Sequence, residues 1–208
     1  MNTTILSCAL MLLAVNLTPA LAGSTVDLSV TGRITPQACS VSLSDSGLVD
    51  FGKIPARTLK PSEYTQLPSQ QLGLSISCEG PTLFALVGID NHPGSSPAPL
   101  VFYGLGMNIH APSERLGSVG LALRGPVGDG VALRVLTSSD NGGTWHPEAN
   151  AYPAQYIGFA RSDALQPEPI RQLVASLRVE TAISPASGLT LKEEVPLQGS
   201  ITLDLKYL

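Results

Sequence analysis

Alternation of apolar and polar residues at every second position is the feature of this sequence that most restricts its fold. Leu72, Leu74, Ile76 and Cys78 alternate with glycine and serine residues. Successive side chains of a β-strand point to opposite faces, so this stretch predicts a half-buried strand that carries Cys78 into the core. Because no segment shows an amphipathic helical repeat of comparable length, the sequence predicts an all-β fold.

Two segments nearer the C-terminus alternate in the same way. Their apolar faces are Leu173, Ala175, Leu177, Val179 and Thr181 in the first, and Ile201, Leu203, Leu205 and Tyr207 in the second. Shorter candidate strands lie at 101–103, 106–109, 119–124, 131–136 and 156–160. A strand over 82–89 is predicted to pair with the 72–78 strand through a turn at Gly80 and Pro81.

The composition agrees with many short strands joined by turns. Its 20 glycines and 17 prolines are spread along all 208 residues rather than gathered in one linker, and this spacing favours a sandwich over a barrel. Only 13% of the residues are charged and the net charge is −4. The chain has no Lys/Arg cluster, so its charge pattern excludes an ordinary nucleic-acid-binding protein.

The N-terminus has the pattern of a secretory signal peptide. An apolar stretch over 5–17 is followed by Pro19 and by Ala20-Leu21-Ala22, which predicts cleavage between Ala22 and Gly23. The stretch is too short for a membrane-spanning helix, which needs roughly 20 apolar residues. We therefore expect residues 1–22 to be removed, leaving an exported chain long enough for one domain.

Cysteine content predicts one disulfide. Cys8 lies in the signal peptide, so the exported chain keeps two cysteines, Cys39 and Cys78. Disulfides form readily in an oxidising compartment, and a Cys39–Cys78 bridge would stabilise the fold by about 4 kcal/mol in the chain-entropy model. Two buried free thiols are the alternative.

A search of the sequence for catalytic motifs finds none that predicts an enzyme. His92, His110 and His146 are isolated and read as ordinary surface or turn histidines. The sequence contains no H-x-x-x-H pair, C-x-x-C, G-x-S-x-G elbow or P-loop. We expect no catalytic residues, no metal and no cofactor, with a hydrolase kept as a minor alternative.

Residues 138–145 resemble the Asp-box of sialidases and other β-propeller proteins. The match is to S-x-D-x-G-x-T-W, in which the aspartate and glycine build a tight turn and the tryptophan packs beneath it. A propeller needs several copies, and this chain has one, so the segment predicts a structural β-hairpin. The alternative is that an exposed Trp145, with Asp140 and His146 nearby, stacks on a sugar ring.

Residues at both ends of the exported chain resemble a chaperone–usher fimbrial subunit. Near the N-terminus, Val26, Leu28 and Val30 precede Gly32 and Ile34, and the first cysteine follows. The stretch Val49-Asp50-Phe51-Gly52-Lys53-Ile54, the second cysteine and the penultimate Tyr207 complete the similarity. It is greater to the poorly characterised fimbria-associated proteins of Gram-negative bacteria than to a major shaft pilin.

This resemblance implies an immunoglobulin-like β-sandwich, residues 33–208, that is incomplete and is completed by a donor strand from another chain. Residues 23–32 would then be an N-terminal extension that acts as a donor strand through Val26, Leu28 and Val30. The C-terminal strand, with Ile201, Leu203, Leu205 and Tyr207, would bind a periplasmic chaperone.

The resemblance further implies a minor or tip-proximal structural subunit that meets an outer-membrane usher and other fimbrial subunits. The protein would pass through the periplasm and end in a fimbrium at the cell surface, without inserting in the membrane. Two alternatives stay open. One is a carbohydrate-binding adhesin of the same fold that uses Trp145, and the other is a self-contained periplasmic β-sandwich in which 26–30 is merely the first strand.

Overall fold

A computed structural model of the protein describes Ser29 and residues 38–208. The predicted signal peptide and the predicted donor residues Val26, Leu28 and Val30 lie outside the described residues. Strands dominate the described part of the chain, which contains no α-helix. The strands are β1 (Cys39–Leu43), β2 (Thr65–Gln66), β3 (Gln70–Thr82), β4 (Phe84–Asp90), β5 (Tyr103–Gly104), β6 (Met107–Asn108), β7 (Ala111–Arg115), β8 (Gly117–Gly128), β9 (Val131–Ala132), β10 (Arg134–Ser138), β11 (His146–Pro147), β12 (Tyr156–Ala160), β13 (Ile170–Ile183) and β14 (Ile201–Tyr207).

Two antiparallel sheets hold most of these strands, and the all-β prediction is confirmed. The first sheet has the order β1-β3-β13-β8-β5, with β2 beside β13 and β9 beside β8. The second has the order β11-β10-β12-β4-β14, and β6 and β7 form a separate ribbon. Side chains from both sheets meet in one core, which includes Leu74 and Leu173 from the first sheet and Leu86 and Phe159 from the second. The arrangement is a sandwich of two open sheets.

The long strands follow the alternation in the sequence. Along β3 the buried residues are those of the predicted inner face, and the glycine and serine residues between them are exposed. β13 lies between β3 and β8 and places its predicted apolar face in the same core. Period-two burial in β3 arises because this strand has one face on the core and one toward solvent.

The predicted pairing of residues 72–78 with 82–89 is wrong. β3 continues through Gly80 and Pro81 to Thr82, and Leu83 alone separates it from β4. β3 and β4 lie in different sheets, so the chain crosses the sandwich at this point. Alternation identifies the apolar face of each strand, but it does not specify the sheet that a strand joins.

The shorter predicted strands are only partly correct. β12 has the predicted bounds, and β8 is longer than its prediction at both ends. In place of the predicted strands at 101–103 and 106–109, the structure has the two-residue strands β5 and β6. The predicted strand over 131–136 is divided into β9 and β10 at Leu133.

The predicted disulfide is confirmed, and it joins the edge strand β1 to its neighbour β3 in the first sheet. Cys39 and Cys78 face each other in the β1–β3 ladder, and their sulfur atoms are bonded. β1 makes most of its described contacts with β3, so the bridge fixes a short edge strand to the interior of the sheet.

Within residues 38–208, no helix is long and apolar enough to cross a membrane.

Replacement of both bridged cysteines, Cys39→Ala and Cys78→Ala, should lower the free energy of unfolding by about 2–4 kcal/mol, because the unfolded chain regains the entropy that the bridge removes. For a domain of this size the melting temperature should fall by roughly 5–15 °C. Circular dichroism melts of the oxidised protein and the variant test this. Reductant should lower the melt of the parent protein and leave the variant unchanged. Equal melts for the oxidised protein and the variant would contradict the prediction.

Candidate functional site

The most unusual feature of the described structure is a pair of sheet edges that face the same groove. β1 is the last strand of the first sheet and β14 is the last strand of the second. Neither outer edge pairs with another strand in the part of the chain that the structure describes. Leu43 of β1 and Leu203 of β14 line one cavity, so the groove lies between these two edges.

Unpaired backbone groups follow from the register of β14 against β4. The N–H of Asn91 donates to the carbonyl of Ser200, and the N–H of Leu208 donates to the carbonyl of Leu83. Hydrogen-bonded positions alternate along an antiparallel ladder, so the even-numbered residues between them bond to β4. The N–H and C=O groups of Ile201, Leu203 and Leu205 therefore point to the outer edge.

β1 presents a matching edge. The N–H of Glu79 donates to the carbonyl of Ala38, which makes 38 and 79 a hydrogen-bonded pair. Cys39 and Cys78 are then a non-bonded pair, in agreement with their short Cα–Cα distance of 4.0 Å. The backbone groups of Cys39, Val41 and Leu43 consequently point away from β3.

The groove between these edges is apolar and reaches the core. It holds a cavity of about 210 Å³, with a floor that includes Leu72, Leu121, Leu177 and Val179. Ile201, Leu203 and Leu205 pack against the core from β14, but all three are only half-buried. A strand inserted here would cover these side chains and pair with both edges.

The rim of the groove carries a left-handed turn. Asp45, Ser46 and Gly47 all have positive φ values, of 52°, 53° and 72°. Two successive non-glycine residues in this region are costly, at roughly 1–2 kcal/mol each. Leu48 follows the turn, lines the cavity and is 69% exposed, which leaves a large apolar side chain at the mouth of the groove.

A second cavity of about 580 Å³ adjoins the first and shares Val49, Phe51 and Leu197 with it. It lies between two segments without regular strands, 48–59 and 189–197, and its apolar lining includes Ile54 and Leu189. Sequence reasoning missed this cavity. The half-buried apolar residues in both segments were the available signal, but nothing in their spacing shows that the two segments meet.

A polar cluster around the buried Asn108 anchors the second of these segments. The Asn108 side chain donates to Glu114 Oε2 and to the carbonyl of Thr190, at 2.9 Å in each case. Glu114 also accepts from the N–H and hydroxyl of Thr190, and these bonds hold the pKa of Glu114 below its usual range. The cluster fixes the start of the 189–197 segment against the β6–β7 ribbon.

The predicted C-terminal residues all lie on β14, the strand that borders the groove. Ile201, Leu203 and Leu205 point inward from β14, as the alternation predicted. Tyr207 is 45% exposed, and its hydroxyl accepts a hydrogen bond of 3.1 Å from the N–H of Cys39. The disulfide and the end of β14 thus lie side by side.

Residues 138–145 form the predicted hairpin turn, in which Asp140 organises the loop between β10 and β11. Asp140 accepts from the Ser138 hydroxyl at 2.7 Å and from the N–H and hydroxyl of Thr144 at 2.9 and 2.8 Å. The Ser138 bond contributes most to a pKa of Asp140 far below its usual range. Asn141 and Gly142 have positive φ values, as a tight turn of this kind requires.

The sugar-stacking alternative requires an exposed Trp145, and this expectation is wrong. Trp145 is 8% exposed and packs with Ala85, Leu136 and Ala160 on the outer face of the second sheet. Its indole N–H donates to the carbonyl of Gly142 at 3.0 Å. The tryptophan is buried because the turn folds it back over the sheet, so its ring is a structural element of the hairpin.

The three histidines lie on separate elements of the described structure. His92 lies in the loop after β4, His110 lies between β6 and β7, and His146 lies on β11. No group of three or more His, Cys, Asp or Glu side chains within the described ranges could hold a metal ion.

Comparisons with known proteins give distant similarity. A family model described as a protein of unknown function (DUF1120) matches residues 28–99, a range that includes both bridged cysteines. Protein GltF of Escherichia coli (strain K12) is 24% identical over 247 aligned positions, which cover 99% of this chain and 97% of that protein. Uncharacterized protein YhcF of the same strain is 30% identical over 76 residues, which cover 36% of this chain and 32% of that protein.

Substitution Asp140→Ala should loosen the turn and expose Trp145, because it removes three hydrogen bonds that close the loop. Trp145 is the only tryptophan in the chain, so its fluorescence reports this turn directly. We expect weak acrylamide quenching in the parent protein and stronger quenching in the variant. Glu79→Ala, which removes an exposed carboxylate on β3, is the matched control and should leave quenching unchanged. Strong quenching in the parent would contradict the buried position.

The low pKa of Asp140 also predicts how this contribution depends on pH. Its stabilising effect should be complete above the ordinary value of 3.8 and should decline as the pH falls from there toward the lower folded value. The difference in melting temperature between the parent and Asp140→Ala should thus be equal at pH 7 and pH 5 and smaller at pH 3. A difference that grows in acid would show that the carboxylate does not carry the interaction.

Proposed function

We propose that this chain is a structural subunit of a chaperone–usher fimbria, in a minor or tip-proximal position. In this proposal an immunoglobulin-like sandwich is completed by a donor strand from another chain. The observation that carries the proposal is the pair of edges on β1 and β14, which no other strand of residues 38–208 covers and which face each other across an apolar groove.

The groove has the properties that an added strand needs. Outward N–H and C=O groups on both edges would bond to its backbone, and alternate apolar side chains would enter the cavity between Leu43 and Leu203. Each such side chain would contribute roughly 1.5–3 kcal/mol on burial. An exposed edge of this kind aggregates unless another chain covers it.

A periplasmic chaperone would cover the groove first, and a neighbouring subunit would replace the chaperone at an outer-membrane usher. The similarity in sequence at Val49–Ile54 and at Tyr207 supports this order of partners, and residues 49–54 line the second cavity. The disulfide supports passage through an oxidising compartment. The protein would end at the cell surface as part of the fibre.

The proposal does not extend to sugar binding through Trp145, because the ring is buried beneath its own turn. It assigns the 138–145 hairpin a structural role, which is to cover the outer face of the second sheet.

Addition of a peptide with the sequence of residues 23–32 should raise the melting temperature of the exported protein and slow amide exchange at Leu203 and Leu205. Substitutions Val26→Ser, Leu28→Ser and Val30→Ser in the protein prevent its own extension from competing. Exchange measured by NMR and a thermal melt, with and without peptide, test the effect. A peptide with the same three serines is the control and should do nothing.

Two variants on the same strand locate the binding. Leu203→Gln places a polar group in the groove and should abolish the peptide effect, whereas Thr202→Gln on the outer face should retain it. A high melt that does not respond to the peptide, with the Leu203 and Leu205 amides already protected, would instead favour a self-contained sandwich.

A further inference from the structure

The groove is open along one half of β14 only. Its cavity is lined by Ile201 and Leu203 of β14 and by Leu43 of β1. Cys39, Leu205 and Tyr207 take no part in this lining, although they continue the same two strands. The two sheet edges are therefore apart at the Leu43 end and joined at the Cys39 end.

One hydrogen bond joins them. The Tyr207 hydroxyl accepts from the N–H of Cys39 at 3.1 Å, from one sheet to the other. This N–H is the first outward donor of β1, because Cys39 and Cys78 are a non-bonded pair in the ladder. The disulfide holds Cys39 in place. Tyr207 thus occupies a position that the carbonyl of an inserted strand would take.

We propose that Tyr207 is a latch on the groove and that a completing strand enters from the Ile201–Leu203 end. This inference rests on the proposed function. The strand forms its first bonds and fills the open cavity while the latch is closed. It pairs with the Cys39 end of β1 only after the Tyr207 hydroxyl has left the Cys39 N–H.

The latch is weak enough to open in this way. A hydrogen bond between neutral groups contributes little net stability, and Tyr207 is nearly half exposed, so water replaces the lost bond to the hydroxyl. The inserted strand supplies a carbonyl to Cys39, and no buried donor is left without a partner. Opening therefore costs little once the other half of the strand is paired.

Tyr207→Phe tests the latch, since it removes the hydroxyl and keeps the ring. In the free protein, exchange of the Cys39 amide should become several-fold faster by NMR. A fluorescent peptide of residues 23–32 should then associate faster and bind roughly 2- to 10-fold more tightly, the equivalent of one net hydrogen bond. Both proteins carry serine at positions 26, 28 and 30, as in the test of the proposed function.

Tyr64→Phe is the matched control, because Tyr64 is a similarly exposed tyrosine in the segment before β2, and it should change neither quantity. Unchanged Cys39 exchange in Tyr207→Phe would show that the bond does not form. Faster exchange with unchanged peptide kinetics would overturn the latch while the proposed function stands. A peptide that binds neither protein would overturn the donor role of residues 23–32 in the proposed function, and the latch with it.

Discussion

Within the described part of the chain, two edge strands leave backbone hydrogen bonds unmade beside one groove, and the structure is organised around this constraint. Buried N–H and C=O groups need partners, and the interior strands β3 and β13 find theirs on neighbouring strands at both sides. Among the described strands, β1 and β14 each have a neighbour on one side only. Because the two free edges face one apolar groove, the same inserted strand would serve both. The side chains of Ile201, Leu203 and Leu205 agree with this, because they contact the core but are only half-buried.

Local devices hold these edges in position. The disulfide ties β1 to β3, and the Asn108–Glu114–Thr190 cluster ties the segment before β14 to the β6–β7 ribbon. Each device lies beside the groove rather than within it. The groove thus has fixed walls, and a strand that binds to preformed walls loses less binding energy to ordering its partner. The left-handed turn before Leu48 is the strained part of this frame.

Sequence reasoning correctly predicted the elements that depend on a local pattern of residues. The alternation of Leu72 to Cys78 and of Ile201 to Tyr207 identified two strands and their inner faces, and cysteine content identified the bridge. The crossing from β3 to β4 was missed, because both strands are apolar on one face and only the packing partner decides the sheet. The second cavity was missed because segments 48–59 and 189–197 meet in space without any shared periodicity. Trp145 was given an alternative exposed position because the sequence shows the turn residues but not the surface that the turn covers.

That covered surface explains how β14 is held in position against β4. The Trp145 ring lies so close over Gly158 that a side-chain carbon there would approach it to 2.9 Å, and Pro167 closes the same spot from the other side. The outer face of the second sheet is therefore dry around Ala85 and Leu136, and β4 is buried on both faces from Phe84 to Gly88. β14 lies beyond this cover and pairs with β4 along its whole length. A strand buried on both faces is a rigid template for its neighbour, so β14 keeps its register although no strand of residues 38–208 pairs with its outer edge. The Asp140 turn and the groove are linked in this way, because the outer cover of the second sheet fixes the strand that borders the groove.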